Sequence, residues 1–169
     1  MEITPATTAL ITGANGGIGT AIARALHGAG CKLVLSGRRA DVLAPIADTF
    51  GARVIVADLA RREDLDRLHA EAGEIDLAVF NAALPASGDV MEYSVEQMDR
   101  ALDVNLRAPM VSARVLGEGM AQRGRGHLVF IASVAGKRWR GAARRSTARR
   151  SSGCAASRSG SATTCDRAG

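Results

Sequence analysis

The stretch Thr12-Gly13-Ala14-Asn15-Gly16-Gly17-Ile18-Gly19 decides the fold. An apolar run, Ala9-Leu10-Ile11, precedes it, and an amphipathic run with Ile22, Ala25 and Leu26 follows. Strand, glycine loop and helix in that order aim backbone N–H groups and a helix N-terminus at a phosphate. Glycine suits the loop because a Cβ would block the tight turn or the approach of a pyrophosphate. Many glycine-rich turns bind nothing, so the residues downstream decide what this one is for.

Outward from the loop, apolar runs alternate with helix-like runs, the pattern of a parallel sheet covered on both faces. The predicted strands are Ala9–Ile11, Lys32–Ser36, Arg53–Ala57, Leu77–Phe80 and His127–Ala132. The predicted helices are Ile18–Gly28, Ala40–Thr49, Arg62–Glu71, Val95–Leu106 and Ala108–Arg123. Gly28 and Gly30 suit the exit of the first helix and Gly51 that of the second. Ser94 and Gln97 have capping-box spacing at the start of the fourth. The fold class is therefore α/β, an open doubly wound parallel sheet of about five strands.

Composition narrows the setting. No apolar run approaches the roughly 18 residues of a membrane span. Met1-Glu2-Ile3-Thr4-Pro5 carries neither a basic region nor an apolar one of signal-peptide type, so a cytoplasmic location is expected. Cys31, Cys154 and Cys165 lack metal-ligand spacing, and no histidine has a partner at ligand distance in sequence. The net charge of +5 hides a division. Residues 1–136 hold 13 basic and 16 acidic side chains, and residues 137–169 hold nine and one. All the net basicity lies in the last segment.

Thr12–Gly19 resembles the TGxxxGxG motif of the short-chain dehydrogenase/reductase family, nicotinamide-dependent oxidoreductases of Rossmann-like fold. Four further matches follow in family order. The resemblance implies the strand order 3-2-1-4-5, and cofactor contacts from Thr12, Gly13, Asn15, Gly17, Ile18 and Gly19. Asp58-Leu59 resembles the pair that meets the adenine ring, where a carboxylate accepts from the adenine amino group. Standing alone, Asp58 reads equally well as a helix N-cap. Asn81-Ala82-Ala83 resembles the motif beside the cofactor ribose, with Ala83 in place of the usual Gly and Phe80 where an Asn is common. Asn105 resembles the helix Asn that holds a water in the proton relay, and otherwise reads as a polar residue on a solvated face. Ser133 resembles the catalytic serine, whose hydroxyl polarises the substrate oxygen; alone it is a Ser at a strand end.

Arg38 and Arg39 follow the second strand, and Gly37 stands where an Asp or Glu would bind the ribose 2′-hydroxyl. Guanidinium suits a 2′-phosphate by charge and paired donors. NADP(H) is therefore expected over NAD(H), with a small carbonyl or secondary alcohol as the implied substrate.

The family's general acid/base Tyr and its Lys, in a Tyr-xxx-Lys motif about thirteen residues after the serine, are absent. The single tyrosine is Tyr93 and the lysines are Lys32 and Lys137. Residues 137–169 contain no Leu, Ile, Val, Met, Phe or Tyr and read as a basic, low-complexity, disordered tail, separate from a dinucleotide-binding domain at 1–136. Arg, Ala, Gly, Ser and Thr are what GC-rich coding DNA yields out of register. Shifting the register from Arg145 onward permits Leu-Tyr-Ser-Ala-Thr-Lys-Phe, its Tyr codon straddling Ser146 and Thr147 and its Lys codon straddling Arg150 and Ser151.

The expectation is thus a family member truncated at its C-terminus and frameshifted after about residue 137, inactive as written. The resemblance implies a homo-oligomer, which loss of the Tyr-Lys helix would compromise, and a sheet that stops at its fifth strand. The alternative is a non-catalytic nucleotide-binding module whose basic tail binds nucleic acid or an acidic partner. Against nucleic acid, Trp139 is the tail's only aromatic residue.

Overall fold

The computed structural model describes residues 3–85 and 89–133. The basic segment 137–169, and with it the expected disorder and the boundary at residue 136, lies outside the described residues. Five strands, β1 (Thr8–Thr12), β2 (Lys32–Gly37), β3 (Arg53–Val56), β4 (Leu77–Phe80) and β5 (His127–Phe130), form one sheet. Its order is β3-β2-β1-β4-β5, the order expected from the sequence, and every pairing is parallel.

Helices α1 (Gly17–Gly28) and α2 (Ala40–Phe50) are joined by α3 (Arg62–Ala72), α4 (Val95–Leu102) and α5 (Ala108–Gln122). They fall on two faces because alternate strand residues do. Leu10, Val34, Ile55 and Phe80 pack with Leu65 and Leu68 of α3 and Leu116 of α5. Ala9, Ile11, Leu33, Leu35 and Val79 pack with Leu26 of α1 and Leu43 of α2. Gly51 closes α2 with φ 58°, the left-handed cap expected of it. Ser94 and Gln97 form the expected capping box.

One predicted break is absent. The sequence suggests a helix ending at Leu106 and another beginning at Ala108, but α4 and α5 are continuous through a π turn, Asp103–Arg107. Pro109 is the reason. It has no N–H to give the Asn105 carbonyl four residues earlier, and its ring crowds that oxygen. The helix widens instead of stopping: the Ala108 N–H reaches back five residues to the Asp103 carbonyl. β5 is shorter than expected, ending at Phe130, although the Ile131 N–H still reaches the Phe80 carbonyl at 3.0 Å. Among the described residues β5 is a sheet edge, and Phe130 and Ile131 are exposed there.

Asp76, 6% exposed, fastens the N-terminal ends of three strands. Its Oδ2 accepts from the Thr8 N–H at 3.0 Å, and its carbonyl accepts from the His127 N–H at 2.8 Å. Arg125 Nε stands 3.2 Å from Oδ1 as a charge contact without hydrogen-bond geometry. Between the helices of one face, His69 Nε2 of α3 lies 2.8 Å from the buried Ser112 Oγ of α5. Burial pushes His69 below the ordinary histidine value, and the Asp66 charge opposes this only in part. The unfolded chain therefore binds the proton more readily. The neutral ring's contribution is complete above about pH 6.5 and is lost as pH falls through the depressed value. His69→Gln should flatten the decline in urea midpoint between pH 7.5 and pH 5.5; an unchanged decline would contradict the assignment.

Candidate active site

The C-terminal ends of the strands open into a cleft of about 370 Å³. The topology puts it there: strand order reverses at β1, so the connections after β1 and β4 leave toward opposite faces. Thr12 and Asn81 join the two connections. Thr12 Oγ1 accepts from the N–H groups of Asn81 and Ala82 at 3.1 and 3.2 Å and donates to the Val79 carbonyl at 3.4 Å. The Asn81 amide donates to the Thr12 and Gly13 carbonyls at 3.2 and 3.0 Å.

The glycines divide into two kinds. Gly13 has φ +64°, and a Cβ on it would stand 2.8 Å from the Ala82 Cα. A Cβ on Gly19 would overlap the Gly13 carbonyl and press on Asn81. These two are glycine because the loop folds onto its own neighbours. Gly17 is different: a Cβ there meets nothing within 4 Å, and the residue faces the cleft. Its open side is a surface that a phosphate can approach, beside the N-terminus of α1. Gly37 lies close to Asn15, whose Oδ1 would be 3.0 Å from an added Cβ, so a side chain there would displace Asn15.

Asn15, Gly17, Ile18 and Gly13 form one wall of the cleft; Arg38, Asp58 and Leu59 another; Asn81, Ala82 and Ala83 a third. Ten of the twelve residues expected at the cofactor thus share one cleft. The other two, Thr12 and Gly19, stand behind it. Asn105 and Ser133 do not line it. Asn105, in the π turn, accepts from the Leu84 N–H at 2.7 Å and donates to the Leu84 carbonyl at 2.9 Å, fixing the chain just after the Asn81 motif. Ser133 is exposed, three residues beyond β5.

Asp58 is not a helix N-cap, a position Arg61 holds. Its Oδ2 pairs with Arg100 Nη2 at 2.6 Å, its Oδ1 accepts from the Ala60 N–H at 3.2 Å, and its own N–H donates to Asp64. Burial alone would raise its pKa. The Arg100 hydrogen bond and charge, the Ala60 N–H and the charge of Arg38 outweigh burial and hold the carboxyl below the ordinary range. Asp58 is therefore an anion, able to accept further bonds at neutral pH.

Sequence reasoning missed Arg100, Val104, Leu84 and Ser36, all on the cleft lining. The first two had a signal: four residues apart on one helix, they share the face that Val104 buries. Among the described residues, no three or more His, Cys, Asp or Glu come together as metal ligands, and no helix is long and apolar enough to cross a membrane.

Comparison with known proteins gives the family. The family model described as short chain dehydrogenase matches residues 7–146. An uncharacterized oxidoreductase of Staphylococcus aureus (strain MRSA252) is 34% identical over 135 residues, covering 76% of this chain and 58% of that protein. A 3-oxoacyl-acyl-carrier-protein reductase of Rickettsia typhi is 34% identical over 131 residues, covering 76% and 54%. A short-chain dehydrogenase from Sphingobium yanoikuyae, solved in complex with NADPH, superposes with a TM-score of 0.70 at 31% identity, covering 78% of this chain and 56% of that one. The chain belongs to the short-chain dehydrogenase family, NAD(P)-dependent oxidoreductases of Rossmann-like fold. It spans little more than half the length of the relatives it matches.

The glycine division is testable without any ligand. Gly13→Ala and Gly19→Ala should each cost about 2 kcal/mol or more in urea unfolding, from strain and overpacking. Gly17→Ala, in the first turn of α1, should leave stability unchanged or slightly raised. Equal losses at all three positions would refute the distinction.

Proposed function

We propose that the cleft binds NADP(H) in preference to NAD(H), and that the parent enzyme moves a hydride between this cofactor and a carbonyl or secondary alcohol. The observation that carries the proposal is Arg38 on the cleft wall, one residue after a Gly37 that has no carboxylate to offer a ribose 2′-hydroxyl. The Sphingobium relative solved with NADPH and the Rickettsia reductase, named for reducing a 3-oxoacyl group, support the same choice of cofactor and chemistry.

Each residue then has a role. The backbone of Asn15–Gly17 faces the pyrophosphate, Arg38 pairs with the 2′-phosphate, and Asp58 accepts from the adenine amino group. Asn81, Ala82 and Ala83 give the ribose a flat surface, with Asn81 holding the loop closed. Leu59 and Ile18 supply apolar contact. Ser133 donates to the substrate oxygen, and Asn105 fixes the Leu84 backbone. NADP(H) supplies the hydride when bound.

The proton donor is the part this chain lacks. Its single tyrosine, Tyr93, precedes α4 and is far from the Tyr-xxx-Lys position of the family. We propose that the coding register changed near codons 137–144, and that the chain as written binds the cofactor without turning over. A homo-oligomer is proposed through the helix face bearing Leu102, Leu106 and Met110, exposed apolar residues at four-residue spacing. A cytoplasmic location fits a nicotinamide-dependent reductase.

NADPH should bind the full chain at least about tenfold more tightly than NADH, and Arg38→Asp should reverse that order, since replacing one guanidinium contact to phosphate by repulsion is worth more than about 1.4 kcal/mol. Ketone-dependent NADPH oxidation should be absent from this chain and appear when a one-base change restores Tyr-xxx-Lys. Equal affinity for the two cofactors would contradict the cofactor assignment; turnover by the chain as written would contradict the account of the lost dyad.

A further inference from the structure

The sheet has two edges among the described residues, and the chain treats them differently. Along β3 the Ala57 N–H returns to the Gly37 carbonyl, so the Val56 carbonyl before it points away from the sheet. Arg67 of α3 takes that carbonyl at 3.0 Å. β3 also opens on an exposed Arg53, a charge that discourages a further strand. Along β5 the His127 and Ile131 N–H groups reach the Asp76 and Phe80 carbonyls. Alternation then aims the N–H and C=O groups of Leu128 and Phe130 outward, and among the described residues no strand meets them. From Leu128 to Gly136 there is neither a charged residue nor a proline, the usual guards of an edge. Phe130 is 52% exposed and Ile131 40%.

An unguarded apolar edge is a template for another strand. Residues 137–169 hold no Leu, Ile, Val, Met, Phe or Tyr, and nine basic side chains against one acidic, so they bring no strand former suited to it. A second β5 does suit it, because the outward groups are self-complementary. A twofold axis perpendicular to the sheet at Val129 sets two copies antiparallel, with Leu128 opposite Phe130 of the second copy. Those two residues carry the outward groups, so each pair exchanges two N–H···O=C bonds and the symmetric interface closes four. The axis preserves the faces of the sheet. Phe130, whose ring lies 4.9 Å from that of Phe80, gains Leu128 of the second copy beside it on the α3 and α5 face. Val129 meets its own copy on the other face. The axis also puts the two Ser133 residues at opposite ends, so the two basic segments do not begin side by side. A parallel pairing would bring those charges together and cannot close as a twofold.

We propose that the chain pairs with a second copy of itself through β5, joining two five-stranded sheets into one continuous sheet across a twofold axis at Val129. The surface is separate from the helix face bearing Leu102, Leu106 and Met110, and the proposal does not rest on the cofactor reading. One short strand on each side makes an interface below the standard size, so the dimer is weak and forms with rising concentration.

The test is amide-resolved hydrogen exchange of the full chain at about 50 µM and about 1 mM, with velocity sedimentation over the same range. The Leu128 and Phe130 N–H groups should exchange at least about fivefold more slowly at the higher concentration, while His127, Val129 and Ile131, already turned toward β4, should change little. Leu106→Lys, on the helix face, should leave that slowing intact and still sediment as a monomer–dimer mixture; adding Phe130→Lys should leave monomer alone. Should Phe130→Lys fail to fold, the exchange of the unmodified edge decides by itself. Exchange at Leu128 and Phe130 that ignores concentration, fast or slow, would overturn the proposal, slow exchange meaning that the chain's own residues cover the edge. Loss of the slowing in Leu106→Lys would overturn it in favour of the helix face.

Discussion

The structure depends on one short set of hydrogen bonds, the knot between Thr12-Gly13 and Asn81-Ala82. Parallel neighbours β1 and β4 leave the sheet in opposite directions, and a cleft between their connections would gape unless something held them together. A hydroxyl that accepts two backbone N–H groups, and a carboxamide that spans two carbonyls, do so without adding bulk. The close approach they impose dictates glycine at positions 13 and 19 and a small residue at 82. What looks in the sequence like a phosphate motif is thus first a packing motif. Only its outer glycines, 16 and 17, are left over for a ligand.

The charges around the cleft follow from that frame. Asp58 is pinned from three sides, by Arg100, by the Ala60 N–H and, through its own N–H, by Asp64. Arg100 reaches it from α4, in the same long helix that the π turn at Asp103–Arg107 carries past Pro109. The π turn also presents Asn105 to the Leu84 backbone. One helix therefore fixes both the Asp58 end of the cleft and the chain that follows β4. A regular helix, or one broken at Arg107, would rotate one of these contacts away from its partner.

Much of this was legible in the residues. Apolar runs marked all five strands, and the ordered matches at Thr12–Gly19, Asp58, Asn81, Asn105 and Ser133 narrowed the topology to one. Ten residues expected at a cofactor share one cleft because they sit in the loops at the C-terminal ends of strands or in the first turn of α1, where spacing along the chain fixes position in space. The continuous helix was hidden because Pro109 signals a stop, and a π turn that accommodates it leaves no mark of its own in the sequence. Arg100 was hidden for a related reason. Its importance lies in a partner 42 residues away. Asn105 and Ser133 fell where expected along the chain, yet the cleft walls do not include them.

The central claim is that this cleft is a dinucleotide site. The most direct measurement is an amide-resolved NMR titration of the full chain with NADPH. The account predicts saturable shifts concentrated in the N–H groups of Asn15, Gly16, Gly17, Arg38, Asp58 and Leu59, with Cys31 and Gly73, at the opposite end of the strands, unmoved. Shifts centred on that opposite end, or none at saturating NADPH, would contradict it.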